Sequence, residues 1–323
     1  MRLITTESPE SPAVSIVIRA RDESRFIARC LAALEAQDFP RAAEVVLVDS
    51  GSGDGTVDIA RRWPVRVVEI RPSDFTYSSA LNLGFRAARS PFVASLSAHA
   101  IPVDARWVST LVHHFEDPRV AGVYSRELPW PDADLYERLR LESCFPPFGA
   151  TKSLEFALES GDLDRHPLLW TFSNAASMVR RDLWEERPFR ELPYAEDIDW
   201  SRWALRQGHH IVYEPLARVW HSHREGAASR AEREVKGELA LAEIFGRRPS
   251  LSGQLWRSLR ANAHLAWRAA RSELPWKERI ATAAHASAKW IHFALRWFEV
   301  RRGLPLCARE PHSERIPVED GVR

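Results

Sequence analysis

Sulfur is scarce in this chain, whose 323 residues hold three cysteines and two methionines. Cys30, Cys144 and Cys307 are far apart, form no C-x-x-C pair and would leave one thiol over if two were bridged, so no disulfide framework is expected. They read as reduced thiols of a cytoplasmic protein. Long apolar runs are missing as well. The opening MRLITTESPESPA lacks the continuous apolar segment of a secretory signal, and no window of about 18 uncharged apolar residues follows it. The expectation is a protein that is neither exported nor threaded through a membrane. No internal repeat or low-complexity tract occurs. The Gly-rich run DSGSGDGT is not a P-loop, because its lysine is absent, and it is not G-x-G-x-x-G.

What is present points to a folded α/β protein. With 45% hydrophobic residues the chain can bury a large core, as one elaborated domain rather than two equal ones. VSIVIRARDE (residues 14–23) is an apolar run ending in polar residues, and the next segment places Ile27, Leu31 and Leu34 at helical spacing. EVVLVDSGSGDGT (44–56) repeats the plan: a β-branched run breaks at Asp49 into a Gly/Ser turn. VRVVEI (65–70) and FVASLS (92–97) read as further strands around the helical SSALNLGFRAAR, and a helix and a short strand follow in 105–125. Such alternation implies right-handed crossovers and a mostly parallel sheet with helices on both faces, with ligands beyond the carboxyl ends of the strands. From Ala227 onward the pattern is helical.

Several polar residues fall at those strand ends. Asp49 ends a buried strand, so its carboxylate must be paired or hydrogen-bonded, and a nucleobase N–H or a ribose hydroxyl would serve; the plainer alternative is a strand-to-helix turn capped by Asp54 or Thr56. YAEDIDW sets Glu196, Asp197 and Asp199 at a helix start. Acids are favoured there by about 0.3–1 kcal/mol each, yet three leave at least one for other work, such as accepting a proton from an attacking hydroxyl. VWHSH places His221 and His223 on one face of a strand end, and SLSAHAIP ends another strand with Ser97 and His99. A lone histidine is most often structural. Three at the strand ends of one sheet suit manganese, zinc and related ions.

These motifs in this order, VIRARDE, VVLVDSGSGDGT, LNLGFRAA, SLSAHAIP, AEDIDW and VWHSH, resemble the inverting nucleotide-sugar glycosyltransferases of family 2. The likeness runs over roughly two thirds of the chain, and within the family it is nearest bacterial rhamnosyltransferase-type enzymes of surface polysaccharide synthesis. The resemblance implies a GT-A fold in residues 1–226 and a C-terminal helical region in 227–323. It implies a nucleotide-sugar donor, a divalent metal (Mn or Mg) and a glycan or lipid-linked acceptor. Glu23 and Asp49 match positions that hold the donor's base and ribose, and Asn82 matches a supporting asparagine. SAH occupies the family's D-x-D position, so Ser97 and His99 stand where two acids usually stand. His99 inherits the metal-binding place, His221 matches a histidine that completes the coordination, and Asp197 matches the catalytic base. Two other readings are a sugar nucleotidyltransferase, whose Gly-rich first loop RARDESRF lacks, and a nucleotide-sugar-binding scaffold, against which the retained Glu196–Asp197 pair argues.

The net charge of +1 hides an asymmetry. Through Gly246 there are 30 Lys/Arg against 37 Asp/Glu, whereas residues 247–302 hold 12 against 3. That basic arm carries five of the 13 tryptophans: Trp256, Trp267, Trp276, Trp290 and Trp297. Trp256, Leu259, Ala263, Trp267 and Ala270 form one helical stripe, and Trp276, Ile280, Ala284, Ala288, Ile291 and Leu295 form another. The arm reads either as a hairpin packed on the catalytic domain or at a homodimer interface, or as a peripheral contact with the inner face of the cell membrane. No recognition motif supports nucleic-acid binding.

Overall fold

The computed structural model describes residues 1–5, 8, 10–153, 170–223, 225–246 and 250–302; Cys307 lies outside them. Strand β1 (Arg2–Leu3) is followed by β2 (Val14–Ala20) and β3 (Ala42–Asp49), whose β-branched runs are buried almost throughout because helices cover both faces of the sheet. Helix α1 (Ser24–Glu35) buries Ile27, Cys30, Leu31 and Leu34 at helical spacing, and burial pushes the Cys30 thiol up to about 12. After β3 come α2 (Thr56–Ala60), β4 (Val65–Glu69) and α3 (Tyr77–Ala87). A capping box between Thr76 and Ser79 starts α3. Gly84 lets α3 lie against the sheet, since a Cβ there would collide with Val17 and Val48.

Strands β5 (Phe92–Ser97) and β6 (Ile101–Pro102) lead through α4 (Trp107–His113) to β7 (Val120–Leu128). Later elements are α5 (Leu135–Cys144), β8 (Ala150–Lys152), β9 (Ala176–Arg180), α6 (Arg181–Glu186), α7 (Glu196–Arg206) and β10 (His210–Trp220). The strand order is β1-β3-β2-β5-β9-β7-β10-β6, with β4 on β3 and β8 on β10. Pairing is parallel from β1 to β5 and between β7 and β10, as expected. The sheet is nonetheless mixed. β9 enters from the carboxyl end of β5 and so runs antiparallel to both β5 and β7, and β6 and β8 pair antiparallel with β10.

By contacts the chain forms two compact units, residues 1–128 with 144–221 and residues 129–143 with 222–323. The helical unit is therefore discontinuous, because most of α5 belongs with the arm rather than with the sheet. Besides most of α5 it contains α8 (Ala227–Ile244), α9 (Leu251–Ala270) and α10 (Trp276–Arg301). Leu135, Tyr136 and Leu139 pack with Leu265, Ala269 and Ala286, and a second cluster joins Ala231 and Val235 to Phe293 and Trp297. Inside this unit Arg230 is buried over the Tyr136 ring and pairs with Asp134 and Glu137.

Candidate functional site

The short strand β6 explains where the histidine of SLSAHAIP goes. Ile101 and Pro102 pair with Trp220 and Val219, so the turn after β5 is fastened to the end of β10. The rings of His99 and His221 stack there with centroids 5.0 Å apart and planes 16° from parallel. His99 and His221 each offer a ligand nitrogen, and these lie within 4.8 Å of each other.

Both stacked imidazoles lean on a carboxylate. His99 Nδ1 lies 2.7 Å from Glu23 Oε1, and His221 Nδ1 lies 2.6 Å from Glu127 Oε2. A carboxylate on one ring nitrogen fixes the ring's orientation and raises the basicity of the other nitrogen toward a metal. Glu23 is thus placed differently from the expectation of a nucleotide contact: its Oε1 is given to His99. Ser97 Oγ, at the end of β5, is 3.4 Å from the His99 ring nitrogens. Glu127, a partner that sequence reasoning missed, also accepts the Ser173 hydroxyl at 2.6 Å.

The next residue, Asn174, ties that cluster to the acids of AEDIDW. Its backbone N–H donates to Asp197 Oδ2 at 3.2 Å, its side-chain Nδ2 to Glu196 Oε1 at 3.3 Å, and its carbonyl accepts Ser95 Oγ at 2.6 Å and Arg19 at 3.2 Å. The three acids divide the work. Asp199 is neutralised by Arg187 at 2.8 Å and Arg190 at 3.4 Å. Among the described residues, the oxygens of Asp197 accept the amides of Asn174 and Ile198, and the charge of Arg19 acts on it more weakly than burial does. Burial, and after it the neighbouring Glu196 charge, pushes its carboxyl up to about 8.

Ala195, directly before this pair, holds φ at 64°, and Asp22, directly before Glu23, holds φ at 54°; they are the non-glycine residues in the left-handed region among those described. Such strain costs on the order of 1–3 kcal/mol each and persists where the surrounding structure fixes it, commonly at functional sites.

Around β3 the plainer reading holds in part. Asp49 Oδ2 accepts the Gly51 and Ser52 amides at 3.0 Å, and Oδ1 accepts the Ser52 hydroxyl at 2.5 Å, so the partners its burial requires come from its own turn. Asp54 bonds Thr56 and the Ser24 amide, stitching this turn to the start of α1. Gly51 takes φ 82°, and a side chain there would strike Pro72. Beside the turn opens a cleft of about 700 Å³ walled by Asp49, Gly51, Ser52, Arg71 and Pro72 among others. Asn82, expected in a supporting role, is engaged within the protein: its amide nitrogen donates to the Phe189 carbonyl at 2.7 Å, and its oxygen accepts Trp184 Nε1 and the Phe189 amide, each at 3.1 Å. It is a buried brace between α3 and the segment after α6, its oxygen taken twice and its nitrogen once within the protein.

The family model described as glycosyl transferase family 2 matches residues 15–186, which contain β2 through α6 and all of these strand ends but that of β10. The chain belongs to glycosyltransferase family 2. The chain is 28% identical over 185 residues to the O-antigen chain rhamnosyltransferase RfbN of Salmonella typhimurium, covering 56% of this chain and 57% of that one. A Mycobacterium tuberculosis pre-mycofactocin glycosyltransferase is 25% identical over 225 residues, covering 67% of this chain and 44% of that one. The likeness therefore spans only about half the length of these relatives. The Pyrobaculum calidifontis mannosyltransferase PcManGT, solved with GDP-Man and Mn2+, superposes with a TM-score of 0.60 at 19% identity, covering 91% of this chain and 89% of that one. Glucosyl-3-phosphoglycerate synthase from M. tuberculosis, solved with Mn2+, UDP-Glc and phosphoglyceric acid, gives 0.54 at 17%, covering 77% and 89%. At these identities the likeness shows the fold, the GT-A arrangement of this family 2 chain.

Proposed function

We propose that this family 2 chain is a metal-dependent inverting glycosyltransferase that moves a sugar from a nucleotide-sugar donor to a hydroxyl of a glycan or lipid-linked acceptor in cell-surface polysaccharide synthesis. One observation carries the reading. Ser173 and Asn174, adjacent in sequence, hold the two halves of the site, Ser173 through Glu127 behind His221 and Asn174 through Asp197. A cluster of ring-nitrogen donors at strand ends and a high-pKa carboxylate in the first turn of α7 are thereby tied to one short segment, on the side of the sheet where a GT-A fold receives its donor.

The donor set fits a divalent ion. His99 and His221 would hold it, and both rings are braced by carboxylates as metal-binding histidines are. Imidazole suits zinc and the later transition ions best, but manganese takes ring nitrogen more readily than magnesium does, so of the two expected metals manganese fits better. When bound, such an ion offsets charge on the departing diphosphate. The cleft at Asp49 receives the nucleoside, with Arg71 and the Gly51–Gly53 turn on its walls. Asp197, ionised, takes the proton of the acceptor hydroxyl as that oxygen attacks the anomeric carbon from the face opposite the diphosphate, which inverts the linkage. Burial, and after it Glu196, keeps the Asp197 proton affinity high enough for that transfer.

The test is a thermal-shift screen of nucleotide sugars with and without Mn2+, followed by donor turnover. A donor at one hundred times its Kd stabilises the native state by about 2.7 kcal/mol. Stabilisation by a nucleotide sugar that grows with Mn2+, and turnover abolished by chelator, support the reading; donor turnover unaffected by chelator overturns its metal dependence.

A further inference from the structure

The helical unit turns its amphipathic helices the opposite way from a packed hairpin. On α9 the buried residues are Gln254, Ser258, Asn262, Leu265 and Ala269, three of them polar, while Trp256, Leu259 and Trp267 face solvent, Trp256 with 65% of its surface exposed. On α10 the buried set is Thr282, Ala286, Lys289, Phe293 and Trp297. Its exposed set is Trp276, Ile280, Ile291, Leu295 and Phe298, each between 49% and 61% exposed. Both apolar stripes read from the sequence are therefore real, and both lie outside. Scattered exposed apolar residues need no explanation, but two continuous stripes on consecutive helices of one unit mark an interaction surface.

Its chemistry selects the partner. Three of the exposed aromatics each carry a cation: Arg271 sits 4.5 Å from the Trp267 ring, Lys277 5.9 Å from Trp276 and Arg302 6.0 Å from Phe298. Arg257 and Arg260 flank the α9 stripe as well, and residues 247–302 hold 12 basic residues against 3 acidic ones. A second copy of this face would oppose that positive charge with its own. An anionic lipid surface complements it, taking tryptophan rings at headgroup depth and lysine and arginine at the phosphates. Among the described residues no helix is long and apolar enough to cross a membrane, so the contact is with a surface.

We infer that the exposed faces of α9 and α10 dock the protein on an anionic lipid bilayer. The inference stands on this unit alone and does not depend on the transferase reading. It is tested by co-sedimenting the full chain with vesicles of phosphatidylcholine and with vesicles containing phosphatidylglycerol. The expected result is binding to the anionic vesicles, weak binding to the neutral ones, and release at about 0.5 M salt, where charges more than a few Å apart are screened. Replacing Arg260, Arg271 and Lys277 together by Gln should weaken partitioning about a hundredfold, at roughly fivefold per cation near the surface. Replacing Trp256, Trp267 and Trp276 together by Ser should abolish it. All six side chains are exposed, so both variants should melt like the parent and keep donor turnover in vesicle-free solution, which separates failure of docking from failure of the active site. Absence of binding to anionic vesicles, equal binding to neutral ones, or a stable dimer that the Trp variant dissolves would each overturn the inference.

Discussion

Replacing Asp197 by Asn separates the chemistry of the site from its stability, because the two should move in opposite directions. A carboxyl titrating at about 8 is only about one-tenth ionised at pH 7, so the log of kcat/KM should climb with unit slope between pH 6 and 8 and level above. Asn cannot take the proton, and loss of a general base costs about 10²–10⁴ in rate, or about 3–5 kcal/mol of barrier. Stability runs the other way. The native Asp197 binds its proton more tightly than the unfolded chain does, so the stability it contributes is full below about pH 4 and is lost as the pH rises through about 8. Asn carries no charge to bury, and the Asp197→Asn protein should melt above the parent at pH 9, by about 2–4 °C for each kcal/mol recovered. Transfer kinetics from pH 6 to 9 and calorimetric melts at pH 5 and 9 read both effects. A variant that kept kcat/KM within about threefold, or a flat pH profile for the parent, would refute the assignment.

Asn82→Ala should destabilise the fold by about 1–3 kcal/mol, since buried groups of Phe189 and Trp184 lose their partner; urea unfolding measures it, and nucleotide affinity of the folded fraction should not change. At Gly84, alanine forces α3 off Val17 and Val48, a cost of about 1–3 kcal/mol visible in the same unfolding curve. Removing the Asp199 carboxylate as Asp199→Asn leaves Arg187 and Arg190 facing each other, and should lower the melting temperature without shifting the pH–rate profile.

How much of this was legible follows from how local each signal is. β2, β3 and β5 announce themselves as β-branched runs that break at polar residues, and α1 and α3 by helical spacing, so Glu23, Asp49 and His99 could be placed at strand ends from sequence alone. The pairing of those side chains could not. Glu127 lies 94 residues from His221, and nothing in VAGVYSREL distinguishes its final acid from a solvated strand end except the criterion applied to Asp49, a carboxylate closing a buried strand. Asn174 acts largely through its backbone, which has no sequence signature. Alternation of strands and helices also misses β9, because a strand's direction is set by the side of the sheet from which the chain enters. The stripes of α9 and α10 were visible, yet periodicity gives the existence of an apolar face and not which way it turns. Here the buried Gln254, Ser258 and Asn262 decide it.

On the proposed reading Ser97 and His99 stand in place of D-x-D, which looks at first like the loss of a metal site's negative charge. Glu23 and Glu127 stand behind His99 and His221, so an ion held there by the imidazoles would still have two carboxylates close by, with nitrogen rather than oxygen as its direct donors. Such a change should alter metal choice more than metal affinity. Manganese, cobalt and zinc accept ring nitrogen, whereas magnesium and calcium favour oxygen, so titration calorimetry should find Mn2+ bound at least about tenfold more tightly than Mg2+. Glu23→Gln and Glu127→Gln should each weaken Mn2+ by about 10–100-fold, the usual cost of removing the carboxylate behind a ligating histidine. His99→Ala should cost more than either, because it removes a donor and leaves Glu23 without its partner. Equal affinity for Mn2+ and Mg2+, or Mn2+ binding that survives His99→Ala unchanged, would mean that the stacked histidines hold the strand ends together and hold no ion.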